Sequence, residues 1–176
     1  MTIEQANQYF AALPEGFAPA EELRAALPAA AQQVAYVGVA GTAGKTAAAA
    51  LTAAVLQAAG FVTGLYRAGC EPLEQRVRIN GEPVADTLFC AAAETLSRAK
   101  PLPRAAAELA AAAACFGAVG CRLAVVALPD AGLRGDLHRP GRREPLGGAL
   151  GGSGCGRHAG RCHLRYRTGA AQGRVE

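Results

Sequence analysis

Apolar positions along this chain switch between helical and strand periods, with glycine and proline marking the breaks. Ile3 to Leu13 and Pro19 to Leu27 carry short helical patterns, punctuated by Pro14 to Gly16 and by Pro28. Residues 34 to 39 are an apolar run of strand length. A glycine-rich turn follows, then an alanine-rich helix predicted over 45 to 59, with Gly60 at its C-terminal cap. Phe61 to Tyr66 is a second short strand, so the stretch predicts a βαβ unit and with it a parallel sheet. Gln75 to Val84 alternates around Asn80-Gly81, a hairpin turn signal. Asp86 is placed to cap a helix running to about Arg98, which Pro101 and Pro103 end. A second alanine-rich helix is predicted from Arg104 to Ala118, stopping at Gly120, and Arg122 to Leu128 is a third buried strand. From about Gly141 no apolar period remains. Glycine and arginine dominate there, a composition that predicts disorder.

The turn between the first strand and its helix holds the candidate chemistry. It reads Gly41-Thr42-Ala43-Gly44-Lys45-Thr46, and a Gly-Lys-Thr triplet between a buried strand and a helix is the context of a phosphate-binding loop. Glycines at 41 and 44 let backbone N–H groups approach an anion, and the helix N-terminus adds unpaired donors and partial positive charge. Lys45 is placed to reach the β- and γ-phosphates of ATP, and the Thr46 hydroxyl to ligate Mg2+. The glycine spacing is a variant. The usual first glycine falls where Val39 stands, and Gly38 lies one step earlier.

Composition narrows the setting. At 176 residues the chain suits one domain. Its apolar half is mostly alanine, without tryptophan, so each buried position removes little area and the core is expected to be thin. No apolar run approaches the roughly 18 residues of a membrane span, and Met1 to Gln5 lacks the build of a secretory signal, which leads us to expect a cytoplasmic protein with no membrane partner. The six cysteines contain no C-x-x-C pair and argue against a disulfide framework. The net charge of +4 is unevenly spread. Up to Cys121 eight Lys and Arg face ten Asp and Glu, net −2, whereas from Arg122 ten Arg face four acids, net +6.

Several stretches resemble folylpolyglutamate synthase/dihydrofolate synthase, of the Mur ligase superfamily. Val39 to Lys45 is similar to that family's "VAGTNGKG" loop, with a Gly-Lys-Thr ending closer to the Mur ligases. Ala58 to Tyr66 resembles its "AAGYKVGLYTSPHL", and Glu74 to Val84 matches its "NERIRINGEPI" nearly residue for residue. Glu108 and its helix resemble "FELLTALAF", and Leu123 to Val126 the strand of "VAVLEVGLGG". The likeness covers about residues 34 to 135. It implies a three-layer P-loop ATPase domain with a mainly parallel sheet, here truncated, preceded by a helical lead-in over 1–33, occupying 34–136, and followed by a disordered Arg/Gly-rich tail over 137–176. It also implies the ATP-binding portion of an ADP-forming amide ligase that conjugates glutamate to a folate-like carboxylate through an acyl phosphate.

The departures from the family pattern are equally specific. Ala43 replaces an asparagine in the loop. Ala68 to Glu71 stands where the family has Ser-Pro-His-Leu, and Ala127 where its third strand ends in a magnesium-binding glutamate. Asp130, three residues further on, is the nearest acidic substitute, with a turn or helix cap as its plain role. No catalytic residue is assigned. Three parallel strands alone would also leave an exposed apolar edge.

The alternative function is a non-catalytic nucleotide- or folate-binding relative. A small P-loop kinase or GTPase fits less well, because of the glycine spacing and the ligase-like hairpin. In the tail, Cys155, His158, Cys162 and His163 match no standard zinc spacing. Its arginines lack the interleaved aromatics and the accompanying fold of a nucleic-acid binder, so no nucleic-acid partner is expected. The tail reads as the product of a GC-rich gene translated out of frame, beginning near residues 136 to 150.

Overall fold

A computed structural model describes residues 1–16, 18–41, 43–67, 69 and 72–127, together with the backbone of 163–167. Helices α1 (Ile3–Ala12), α2 (Ala20–Ala26) and α3 (Ala29–Gln32) form the lead-in. Thr2 and Gln5 close a reciprocal capping box on α1, which fixes where that helix begins. Strand β1 (Ala35–Ala40), helix α4 (Lys45–Ala58) and strand β2 (Thr63–Arg67) are the predicted βαβ unit. After them come a one-turn helix α5 (Leu73–Arg76), the hairpin β3 (Val77–Ile79) and β4 (Glu82–Pro83), helices α6 (Asp86–Ser97) and α7 (Arg104–Val119), and strands β5 (Leu123–Ala127) and β6 (His163–Arg167). No described helix is long and apolar enough to cross a membrane.

The strands form one sheet in the order β4-β3-β2-β5-β1-β6. Its centre is parallel: β5 lies between β1 and β2, with Leu123 opposite both Ala35 and Thr63. The wings are antiparallel, the hairpin against β2 on one side and β6 against β1 on the other.

Strand alternation divides the apolar side chains between two cores. Val37, Val39, Leu65, Val125 and Ala127 face α4, where Ala49 and Ala53 meet them. Tyr36, Tyr66, Ala124 and Val126 point the other way, into a larger core built on α7 with Phe10, Phe89 and Phe116. Glycine is what lets these layers come so close at two points. A Cβ added at Gly64 would stand 2.6 Å from the Phe116 ring, and one at Gly117 would stand 2.5 Å from the Ala31 backbone of α3. The outer face of α4 is the exception to good burial. The helix has no charged residue after Lys45, and Leu51 and Val55 are 69% and 67% exposed.

Three local expectations are corrected. Gln75 and Arg76 belong to α5 rather than to the hairpin, because Arg76 turns inward to a buried carboxylate. Asp86 is the first residue of α6, whose cap is Ala85, and makes no side-chain capping bond. Residues 163–167 form a strand although disorder was expected throughout 137–176. The physical reason lies in β1: left as an edge it would present unpaired N–H and C=O groups, which β6 takes up. The remainder of the 137–176 tail, with Cys155, His158 and Cys162, lies outside the described residues, as does Asp130.

Candidate nucleotide-binding site

The parallel strands end together at Ala40, Arg67 and Ala127, and α4 starts from the same end of the sheet. In open α/β sheets the crevice outside these carboxyl ends is where ligands bind. The backbone leaves β1 at Ala40 and enters α4 from Gly44, which has φ 74° and ψ −3°. That left-handed conformation is what requires glycine here. Space is not the reason, since an added Cβ would meet nothing within 4 Å.

The first internal helical bond runs from Ala48 N–H to Gly44 C=O at 2.9 Å, so the N–H groups of Lys45, Thr46 and Ala47 precede it. No side chain caps this terminus, and no acidic residue lies in its first turn. The first N–H groups and the positive end of the helix dipole lie at the carboxyl end of the parallel strands, an arrangement suited to an oxyanion. Gly41 and Lys45 are half-buried, whereas Ala43, Gly44 and Thr46 are exposed. Thr42 lies outside the described residues. The structure thus brings Gly41, Ala43, Gly44, Lys45 and Thr46 into one turn at the sheet end.

For a magnesium ion the described residues offer one hydroxyl, that of Thr46. Ala127 is fully buried at the end of β5 and supplies no ligand, and no cluster of three His, Cys, Asp or Glu occurs among the described residues. A hydroxyl combined with phosphate oxygens and water still suits Mg2+, which binds few protein groups and keeps several waters.

Two features were not read from the sequence. Behind the sheet, Glu108 on α7 is 6% exposed and joins three elements. Its Oε2 accepts from Arg76 Nη1 at 3.0 Å and from the Tyr66 hydroxyl at 3.1 Å, and its Oε1 accepts from Arg104 Nε at 3.0 Å. Burial first, and then the Glu108 charge, push the Tyr66 phenol well above its ordinary range. On the α4 face, Arg67 and Arg78 line a groove between α4 and the hairpin. The available signal was the strand register, which puts Arg78 opposite Leu65 and so on the same face as Arg67.

No family model matches this chain, and no curated protein does. Solved structures do. A folylpolyglutamate synthetase from Lactobacillus casei superposes with a TM-score of 0.64 at 26% identity, over 74% of this chain and 37% of that one. A complex described as FPGS-AMPPCP-folate gives 0.63 at 26% identity, over 73% and 35%. A Mycobacterium tuberculosis folylpolyglutamate synthase complexed with ADP, at 22% identity and a TM-score of 0.58, shares the fold. The chain spans roughly a third of the length of the structures it matches. In its fold as in its motifs, it resembles the N-terminal portion of the folylpolyglutamate synthases.

Proposed function

We propose that residues 41–46 bind the phosphates of Mg-ATP and that the chain is the ATP-binding portion of an ADP-forming amide ligase of the folylpolyglutamate synthase type. The observation that carries this reading is the uncapped, acid-free N-terminus of α4, entered through left-handed Gly44 at the carboxyl end of the parallel strands. Support comes from the likeness to solved synthases, one of them described as an AMPPCP complex.

In this reading the N–H groups of the turn and of the first residues of α4 hold the triphosphate, Lys45 neutralises its charge, and Thr46 contributes a ligand to Mg2+. The metal supplies charge stabilisation at the transferred phosphoryl group. The acceptor is a folate-like carboxylate, and glutamate is the amine that completes the amide. We assign the chain to the cytoplasm on the same reading.

A second reading, a non-catalytic nucleotide- or folate-binding relative, is favoured by one observation. Ala127 ends β5 where the family pattern has a glutamate, so β5 itself supplies no carboxylate there.

Calorimetric titration with Mg-ATP tests the shared part of both readings. Saturable binding that Lys45→Ala abolishes is expected, and unchanged affinity in that variant would remove the loop from consideration. ADP release that depends on both a folate and glutamate would support the ligase. Binding without turnover would support the module.

A further inference from the structure

The groove between α4 and the β3–β4 hairpin has a volume of about 250 Å³ and takes no part in the nucleotide site proposed above. One wall is apolar, formed by Ala50, Ala53 and Ala54 of α4 with Leu65 of β2. Arg67 of β2, on the same face as Leu65, and Arg78 on the hairpin wall also line the groove.

The hairpin wall is held in place from two directions. Gln57 Nε2 on α4 donates to the Asn80 carbonyl at 2.9 Å, and the Asn80 side-chain oxygen accepts the Thr63 N–H at 2.9 Å. Arg78 is itself anchored, Nη1 donating to the Gly81 carbonyl at 3.0 Å, while its Nε is buried with no hydrogen-bond partner among the described residues. A buried guanidinium donor without a partner is costly, and a bound oxyanion removes that cost. Because Arg78 faces Leu65 across the ladder, it is the diagonal neighbour of Arg67 on the same face of the sheet.

From these features we infer that the groove is a binding site for a small aliphatic carboxylate, its carboxylate on Arg78 and Arg67 and its methylenes on the alanine wall. The volume falls below the roughly 300 Å³ at which drug-sized pockets begin, which suits a ligand of a few carbons. Three alanines and a leucine favour a hydrocarbon body over bare phosphate, and a guanidinium fork matches the geometry of a carboxylate.

Titration of the 15N-labelled full chain with glutarate, without nucleotide, tests the assignment by NMR. Saturable shifts are expected at the Arg78 Nε–H signal and at the amides of Ala50, Ala53 and Ala54. Arg78→Gln should weaken binding by about tenfold or more, the loss of a charge-assisted bond. Ala54→Leu, at an exposed helical position that tolerates leucine, should block the groove while leaving the fold intact. Inorganic phosphate should move the arginine signal alone and bind more weakly, and 1,5-pentanediol should not bind. Absence of saturable shifts with glutarate overturns the proposal. So does binding that survives both substitutions, binding of phosphate as tight as that of glutarate, or shifts confined to Gly44 to Ala47, which would make the glutarate a ligand of the loop.

Discussion

Arg76 and Glu108 meet at 3.0 Å with side chains only 9% and 8% exposed, pinning the turn before the hairpin to the central helix of the larger core. Such a pair is weak evidence of net stabilisation, but breaking one leaves a buried charge without its partner. Glu108→Ala should therefore cost about 3–5 kcal/mol in urea unfolding. Arg76→Met combined with Glu108→Leu should recover most of that loss. A Glu108→Ala variant of nearly wild-type stability would show that water reaches the Arg76 guanidinium and takes the place of the carboxylate.

Gly64 lies under the Phe116 ring, with no room for a Cβ. Gly64→Ala should lose about 1–3 kcal/mol through overpacking. Adding Phe116→Leu should return part of it, because the two changes share one space. Additive thermal shifts in the double variant would count against this contact as the cause.

The left-handed backbone at Gly44 leads to a different expectation, since nothing crowds that position. Gly44→Ala should reduce stability by about 1–2 kcal/mol, the cost of that conformation for an ordinary residue. It should also weaken Mg-ATP binding by resetting the turn. Gly44→Asn should retain more of both properties, because asparagine tolerates this region. Equal losses in the two variants, measured by calorimetry and thermal melting, would point away from the backbone.

Alkaline pH should destabilise the fold in a defined window. Burial pushes the Cys115 thiol from 9.0 to about 12 and the Cys121 thiol from 9.0 to about 11. Below the unfolded value both states keep their protons, so stability does not change. As pH rises above 9 the unfolded thiols ionise first, and stability falls until the folded thiols ionise as well. Melting temperatures should hold steady up to that point and then decline, with a shallower decline in Cys115→Ala. A melting temperature that stays level above pH 9 would contradict the burial of these thiols.

Leu51 and Val55, one helical turn apart on the outer face of α4, should make the chain self-associate. Leu51→Lys with Val55→Glu should lower light scattering at a given concentration without lowering the melting temperature.

Elements whose signal is local could be read from the chain itself. The βαβ order, the Asn80-Gly81 turn and the Gly120 stop all follow from residue chemistry, and Asn80 and Gly81 do adopt the positive φ that such a turn needs. The turn into α4 could be read for the same reason, since Gly44 takes the left-handed conformation that glycine favours. What was not legible depended on partners distant in sequence. Arg76 looks like a strand residue until Glu108 is placed behind it, and Arg67 and Arg78 share a groove only once β2 and β3 are in register. His163 to Arg167 reads as tail by composition, and only the unsatisfied flank of β1 makes it a strand.

The insertion of β5 between β1 and β2 also governs the order in which the chain can fold. The βαβ unit does not close on itself: Ala35 and Thr63 both find their ladder partner at Leu123, beyond α6 and α7. Closing so long a stretch of chain is entropically slow, and the turn between β1 and α4 has no sheet end to rest on until it is done. During synthesis, residues 41–46 therefore leave the ribosome well before the strand that positions them, so any ligand of that turn meets the finished sheet and is not a template for its assembly.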